Sequence, residues 1–88
     1  MILISIVRCA TLLVNMTSLR DKKFLKELGG RIRALRQDRG WTQQQFADQC
    51  GLHRTYIAGT ERGERNVTVI SLRTLAEVLR VSPGELLG

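Results

Sequence analysis

TQQQFADQCGLHRTYIAGTERG, residues 42–63, reads as two short helices joined by a tight turn. Thr42 is placed to cap the first helix, and Gln45, three residues on, to reach back and complete a capping box. Phe46, Ala47 and Cys50 fall at i, i+1 and i+4, which gives that helix one apolar face. Gly51 supplies the left-handed conformation that ends a helix and turns the chain. Leu52 fills the corner. His53 stands at the cap position of the second helix, which Arg54, Thr55 and Tyr56 open. The predicted buried side of that helix is Ile57 with Thr60, leaving Arg54, Thr55, Ala58, Gly59 and Arg62 outward.

A helix with a short, basic, hydroxyl-bearing outer face suits the DNA major groove, which is lined by acceptors and flanked by phosphates. Two helices in this relation form a helix-turn-helix, in which the second enters the groove and the first crosses the backbone. Arg54 carries the sharpest reading, a two-point contact to guanine O6 and N7, set against a plain phosphate contact. Tyr56 reads either as a contact to a thymine methyl or phosphate, or as a partly buried structural ring. His53 reads as the residue that leads into the helix, or as a phosphate contact.

Upstream, Leu25, Leu28, Ile32 and Leu35 recur at spacings of three, four and three and predict the buried face of an amphipathic helix. Ser18 is its expected cap, and Lys22, Lys23, Lys26, Arg31, Arg33 and Arg39 cover much of the rest. Gly29-Gly30 costs about 1 kcal/mol per glycine relative to alanine, which implies either a late helix start or close packing there. Gly40 ends the helix, and Trp41 is the apolar residue just ahead of the Thr42 cap. Downstream, residues 64–67 form a polar loop, and Thr68 caps a helix whose stripe is Val69, Leu72, Leu75, Ala76 and Leu79. Ser82-Pro83-Gly84-Glu85 reads as a second capping box with proline at the first helical position. Ile70, Val81, Leu86 and Leu87 exceed what one small core needs and predict a dimer surface on this side.

At 88 residues the chain has room for one small domain. A net charge of +6 and a pI near 10.4 point to a polyanionic partner or an acidic surface. Cys9 and Cys50 form no CxxC pair and have no clustered histidines, so neither zinc nor another metal is expected. Cys50 reads as a small buried apolar residue, in keeping with a reducing, cytoplasmic setting.

Residues 2–14, ILISIVRCATLLV, are apolar, interrupted by Arg8 and far shorter than the ~20 residues that span a bilayer. They read as an upstream extension with the natural start at Met16, as an arm used in association, or as a weak membrane tether. The expected organisation is therefore an extension over 1–16 and a DNA-binding domain over 17–88.

From Ile32 to Leu87 the chain resembles the Cro/C1-type (XRE-like) helix-turn-helix family of phage repressors and small bacterial regulators. The matching residues are IRALRQDRGWTQQQFA, the Gly51-Leu52 corner, TYIAGTERG and SLRTLAEVLRVSPGELL. Within that family, LHRTYIAGTERGERNVT is most similar to the controller proteins of restriction-modification systems. The resemblance implies an all-α fold, a compact lambda-repressor-like domain of four to five helices with the helix-turn-helix at helices 2 and 3. It further implies a transcriptional regulator that binds double-stranded DNA at a palindromic operator as a homodimer. By the same resemblance Gln43 would bind a phosphate together with its helix N-terminus, and Arg54, Thr55 and Tyr56 would lie at the groove end of the recognition helix. Arg62, Arg65, Asn66 and Thr68 would flank the backbone, some within reach of bases. Arg36 and Glu61 match a structural ion pair between helices. Thr60 departs from the pattern, which has an aliphatic residue there.

No nucleophile–base pair and no glycine-rich phosphate loop stands out, so no enzyme, cofactor or small-molecule substrate is expected. A reading of another class stays open beside the regulator: an antitoxin-type helix-turn-helix module that covers a protein partner. Affinity for duplex DNA at low salt separates the two.

Overall fold

The computed structural model describes residues 17–88, and side chains from residue 22 onward. The readings made for residues 1–16 lie outside the described residues. The described chain forms five helices and no strand: α1 (Thr17–Asp38), α2 (Gln43–Cys50), α3 (Arg54–Glu61), α4 (Val69–Leu79) and α5 (Pro83–Leu87). The all-α expectation holds.

Local chemistry sets the boundaries. Thr42 accepts from the Gln45 amide at 3.1 Å while Gln45 Oε1 accepts from the Thr42 amide at 2.8 Å, so the capping box at α2 is complete. Trp41, just before the cap, stacks on Phe46 with ring centroids 5.9 Å apart, and so fixes the angle at which the chain enters α2. Gly51 ends α2 at φ 68°, and the Leu52 amide reaches back to the Ala47 carbonyl. Thr68 caps α4 and Ser82 caps α5. At α5 only the Ser82 half of the expected box is made. Ser18 lies inside α1 and is not its cap.

The helices close on one core of Leu28, Ile32, Phe46, Ala47, Ile57, Leu75, Ala76, Leu79 and Leu86. Each large apolar side chain fully buried there contributes about 1.5–3 kcal/mol over its exposed state. α3 packs against both α1 and α2, and α5 folds back onto α1 and α4. Two arginines tie the helix ends: Arg31 donates to the Leu86 carbonyl at 3.1 Å, and Arg39 to the Leu79 carbonyl. The double glycine resolves in favour of close packing. A Cβ on Gly29 would sit 2.3 Å from the Thr60 carbonyl oxygen, so only glycine lets α1 approach the end of α3 this closely.

Four expectations about burial are also corrected. Val69 begins α4 beyond the reach of the other helices and is 82% exposed, so the stripe starts at Leu72. Leu86 is fully buried, because α5 folds inward and carries it into the core. Val81 is half-buried against that core. Ala58 and Gly59 are buried, with the Arg65 side chain lying over Gly59.

Thr60 is 2% exposed and its hydroxyl has no hydrogen-bond partner. A buried unpaired hydroxyl is destabilising, and valine keeps the β-branched shape without it. Thr60→Val is therefore expected to stabilise the domain by about 1 kcal/mol, a rise in Tm of about 4–8 °C for a chain of this size. Thermal denaturation checks it; an unchanged or lower Tm would mean the hydroxyl is satisfied in solution.

Candidate nucleic-acid interface

The α2–turn–α3 unit is anchored from beneath by a buried polar cluster. Arg36 on α1 grips the carboxylate of Glu61 at the end of α3 with two donors, Nε to Oε2 at 2.6 Å and Nη2 to Oε1 at 2.9 Å. Its third donor reaches the Trp41 carbonyl at 2.7 Å. One guanidinium thus joins α1, the residue leading into α2, and the end of α3. Planarity and five fixed donors are what make arginine suited to this work. Gln43 adds a link that the sequence did not reveal: its side-chain amide donates to Glu61 Oε1 at 3.1 Å. The Gln43 side chain is thereby turned toward the cluster, and with the Gln45 amide taken by Thr42 the first turn of α2 keeps the Gln43 and Gln44 amides for an anion.

Above this anchor, α3 presents its first turn to solvent. His53, Arg54 and Thr55 are all exposed, and Tyr56 is half-buried. His53 occupies the N-cap position without a side-chain capping bond. Neither α2 nor α3 carries an acidic residue in its first turn, so neither helix offsets the positive end of its dipole with a carboxylate of that turn. An open depression runs between Gln44 and Asp48 on α2 and His53, Arg54 and Thr55 on α3. Asp48 at its edge accepts from the Gln44 side-chain amide at 2.9 Å.

The residues after α3 extend the same surface. Arg62, Arg65, Asn66 and Thr68 are exposed. Arg62 Nε donates to Glu64 at 3.0 Å, a pair exposed on both sides and so worth little in water. The Arg65 guanidinium lies over the Tyr56 ring, 5.6 Å from its centroid. Thr68 spends its hydroxyl on the α4 cap, accepting from the Ser71 amide and donating to the Ser71 hydroxyl. Its hydroxyl is therefore engaged within the cap and is not a free side-chain group. The structure therefore brings His53, Arg54, Thr55 and Tyr56 together on one turn, and joins Arg65 to them.

Burial raises the Cys50 thiol to about 11, so it stays protonated and unreactive near neutral pH. Among the described residues no group of three His, Cys, Asp or Glu could hold a metal ion, and no helix is long and apolar enough to cross a membrane.

The helix-turn-helix family model (HTH_3) matches residues 32–86. This chain belongs to that helix-turn-helix family. Among relatives of this helix-turn-helix chain, the control protein C.SmaI of Serratia marcescens is 45% identical over 60 residues, 68% of this chain and 71% of that protein. The crystal structure of the restriction-modification controller protein C.AhdI from Aeromonas hydrophila superposes with a TM-score of 0.68 at 42% identity, covering 70% of this chain and 94% of that one. SinR, a master regulator for biofilm formation solved in complex with DNA, superposes with a TM-score of 0.67 at 29% identity, covering 69% and 98%. The helix-turn-helix and the resemblance to restriction-modification controllers were both legible in residues 32–87.

Proposed function

We propose that this helix-turn-helix protein is a sequence-specific regulator of transcription that binds double-stranded DNA as a homodimer on a palindromic operator, and that it serves as the controller of a restriction-modification system. The observation that carries the reading is the exposed, acid-free first turn of α3 with Arg54 and Thr55 at its tip. That turn stands on a helix pair held rigid by Arg36 and Glu61. The likeness to C.SmaI and C.AhdI supports the controller role, and the SinR complex supports DNA as the ligand. In this reading residues 17–88 are the DNA-binding domain, and the protein works in the cytoplasm.

The roles divide by geometry. Arg54 and Thr55 read base edges, with Tyr56 beside them. The α2 N-terminus at Gln43, together with His53, Arg62, Arg65 and Asn66, fixes the register on phosphates, as does the α4 N-terminus at Thr68. Titrating duplex DNA against rising salt tests this. Affinity should fall steeply and linearly on a log–log plot, with a slope set by the phosphates contacted. Failure to retain any duplex at low salt would overturn the proposal in favour of a protein-binding module.

Dimerisation is proposed through the exposed apolar residues of α4 and α5. Leu86 cannot serve, being in the core, whereas Ile70 is 79% exposed and Leu87 43%. Ile70→Asp should weaken self-association about tenfold or more at unchanged helicity, since it places a charge in a contact that excludes water. Sedimentation at micromolar concentration is the check, and dimers of undiminished strength would exclude this surface.

A further inference from the structure

Gly59 occupies a helical position that gains nothing from glycine's backbone freedom. It lies within α3 and is not among the positive-φ residues. Glycine is a poor helix former there. What it provides is room. A Cβ on Gly59 would stand 2.8 Å from Cγ of Arg65, 3.2 Å from Nε and 3.6 Å from Cδ. The stem of Arg65 therefore lies directly on the helix backbone. One turn earlier on the same face, three residues away, the Tyr56 ring receives the guanidinium. The Tyr56 hydroxyl is shielded and without a partner, so packing rather than a hydrogen bond at Oη holds the ring in place.

We infer that Gly59 is a positioning residue for DNA binding: it seats Arg65 along α3 so that the arginine is ordered at the protein–DNA surface before DNA arrives. The inference rests on the DNA-binding reading above and assigns Gly59 a part in it. A long side chain already held in place loses less freedom on binding, and so binds more tightly for the same contact. The atoms that a methyl group would strike belong to an exposed side chain and not to backbone, so Gly59→Ala displaces Arg65 and leaves the backbone where it is.

The test is a double-mutant cycle on the full chain with a fixed operator duplex, accompanied by NMR of the free protein. Gly59→Ala is expected to weaken binding roughly three- to tenfold per half-site, with the melting temperature unchanged or raised. In an Arg65→Ala background the same change should have no effect on affinity, because Gly59 acts only through that side chain. In the free wild type, the Arg65 Hγ and Hδ protons should be shifted upfield by the Tyr56 ring, and Gly59→Ala should remove the shift. Unaltered affinity, an equal loss in both backgrounds, or a loss that tracks a falling melting temperature would each overturn the inference. Unshifted Arg65 protons in the wild type would overturn it independently of how any variant folds. A wild type that retains no duplex at all would instead overturn the DNA-binding reading, and the role of Gly59 with it.

Discussion

Glu61→Ala is expected to destabilise the domain by about 3–5 kcal/mol. Arg36 and Glu61 are 7% and 8% exposed, and the carboxylate takes both arms of the guanidinium plus the Gln43 amide. Removing it leaves a cation in the interior with only the Trp41 carbonyl as partner. That uncompensated charge, rather than the worth of the pair itself, is the source of the effect. At about 4–8 °C per kcal/mol for a domain of this size, Tm should fall by roughly 12 °C or more. Arg36→Ala should destabilise comparably, and the double variant by clearly less than the sum, since each single change already strands the other charge. Calorimetry of the three proteins decides the matter. A Tm within about 2 °C of wild type for Glu61→Ala would show that water reaches the pair and that the helices are held by apolar packing alone.

Arg54→Ala should weaken binding by about 1–3 kcal/mol per half-site and relax the preference at one base position. Arg54 projects from the first turn of α3, exposed and with no acidic neighbour in that turn. Arg62→Ala provides the contrast. Its partner Glu64 is exposed and releases it readily, so the loss should fall on all sequences alike and flatten the salt dependence by about one unit. If Arg54→Ala leaves the preferred sequence intact, Arg54 is a backbone contact, and specificity then comes from Thr55, Tyr56, the residue 65–68 loop or DNA shape.

Much of this architecture is written in local chemistry, and that part was readable in the chain. The Thr42–Gln45 box, the Gly51 turn and the Leu28–Ile32 stripe each depend on residues a few positions apart, where spacing alone decides geometry. The Arg36–Glu61 pair spans 25 positions and came through family resemblance rather than periodicity. What stayed hidden depends on contacts between distant segments. Gln43 reads as a phosphate-binding side chain until α3 brings Glu61 beside it. Leu86 looks like a spare leucine until α5 folds inward. Gly59 and Ala58 fall on the outward arc of a helical wheel, and only the return of the chain through Arg65 covers Gly59. Val69 errs in the opposite sense: it shares the stripe but sits where no helix opposes it.

Selection of bound duplexes from a randomised pool by the full-length protein tests the central claim most directly. The expected result is one enriched motif made of two inverted half-sites, centred about one helical turn or a multiple of it apart, as two copies of α3 in successive major grooves require. Retention of duplexes with no sequence enrichment, or no retention at low salt, would contradict it.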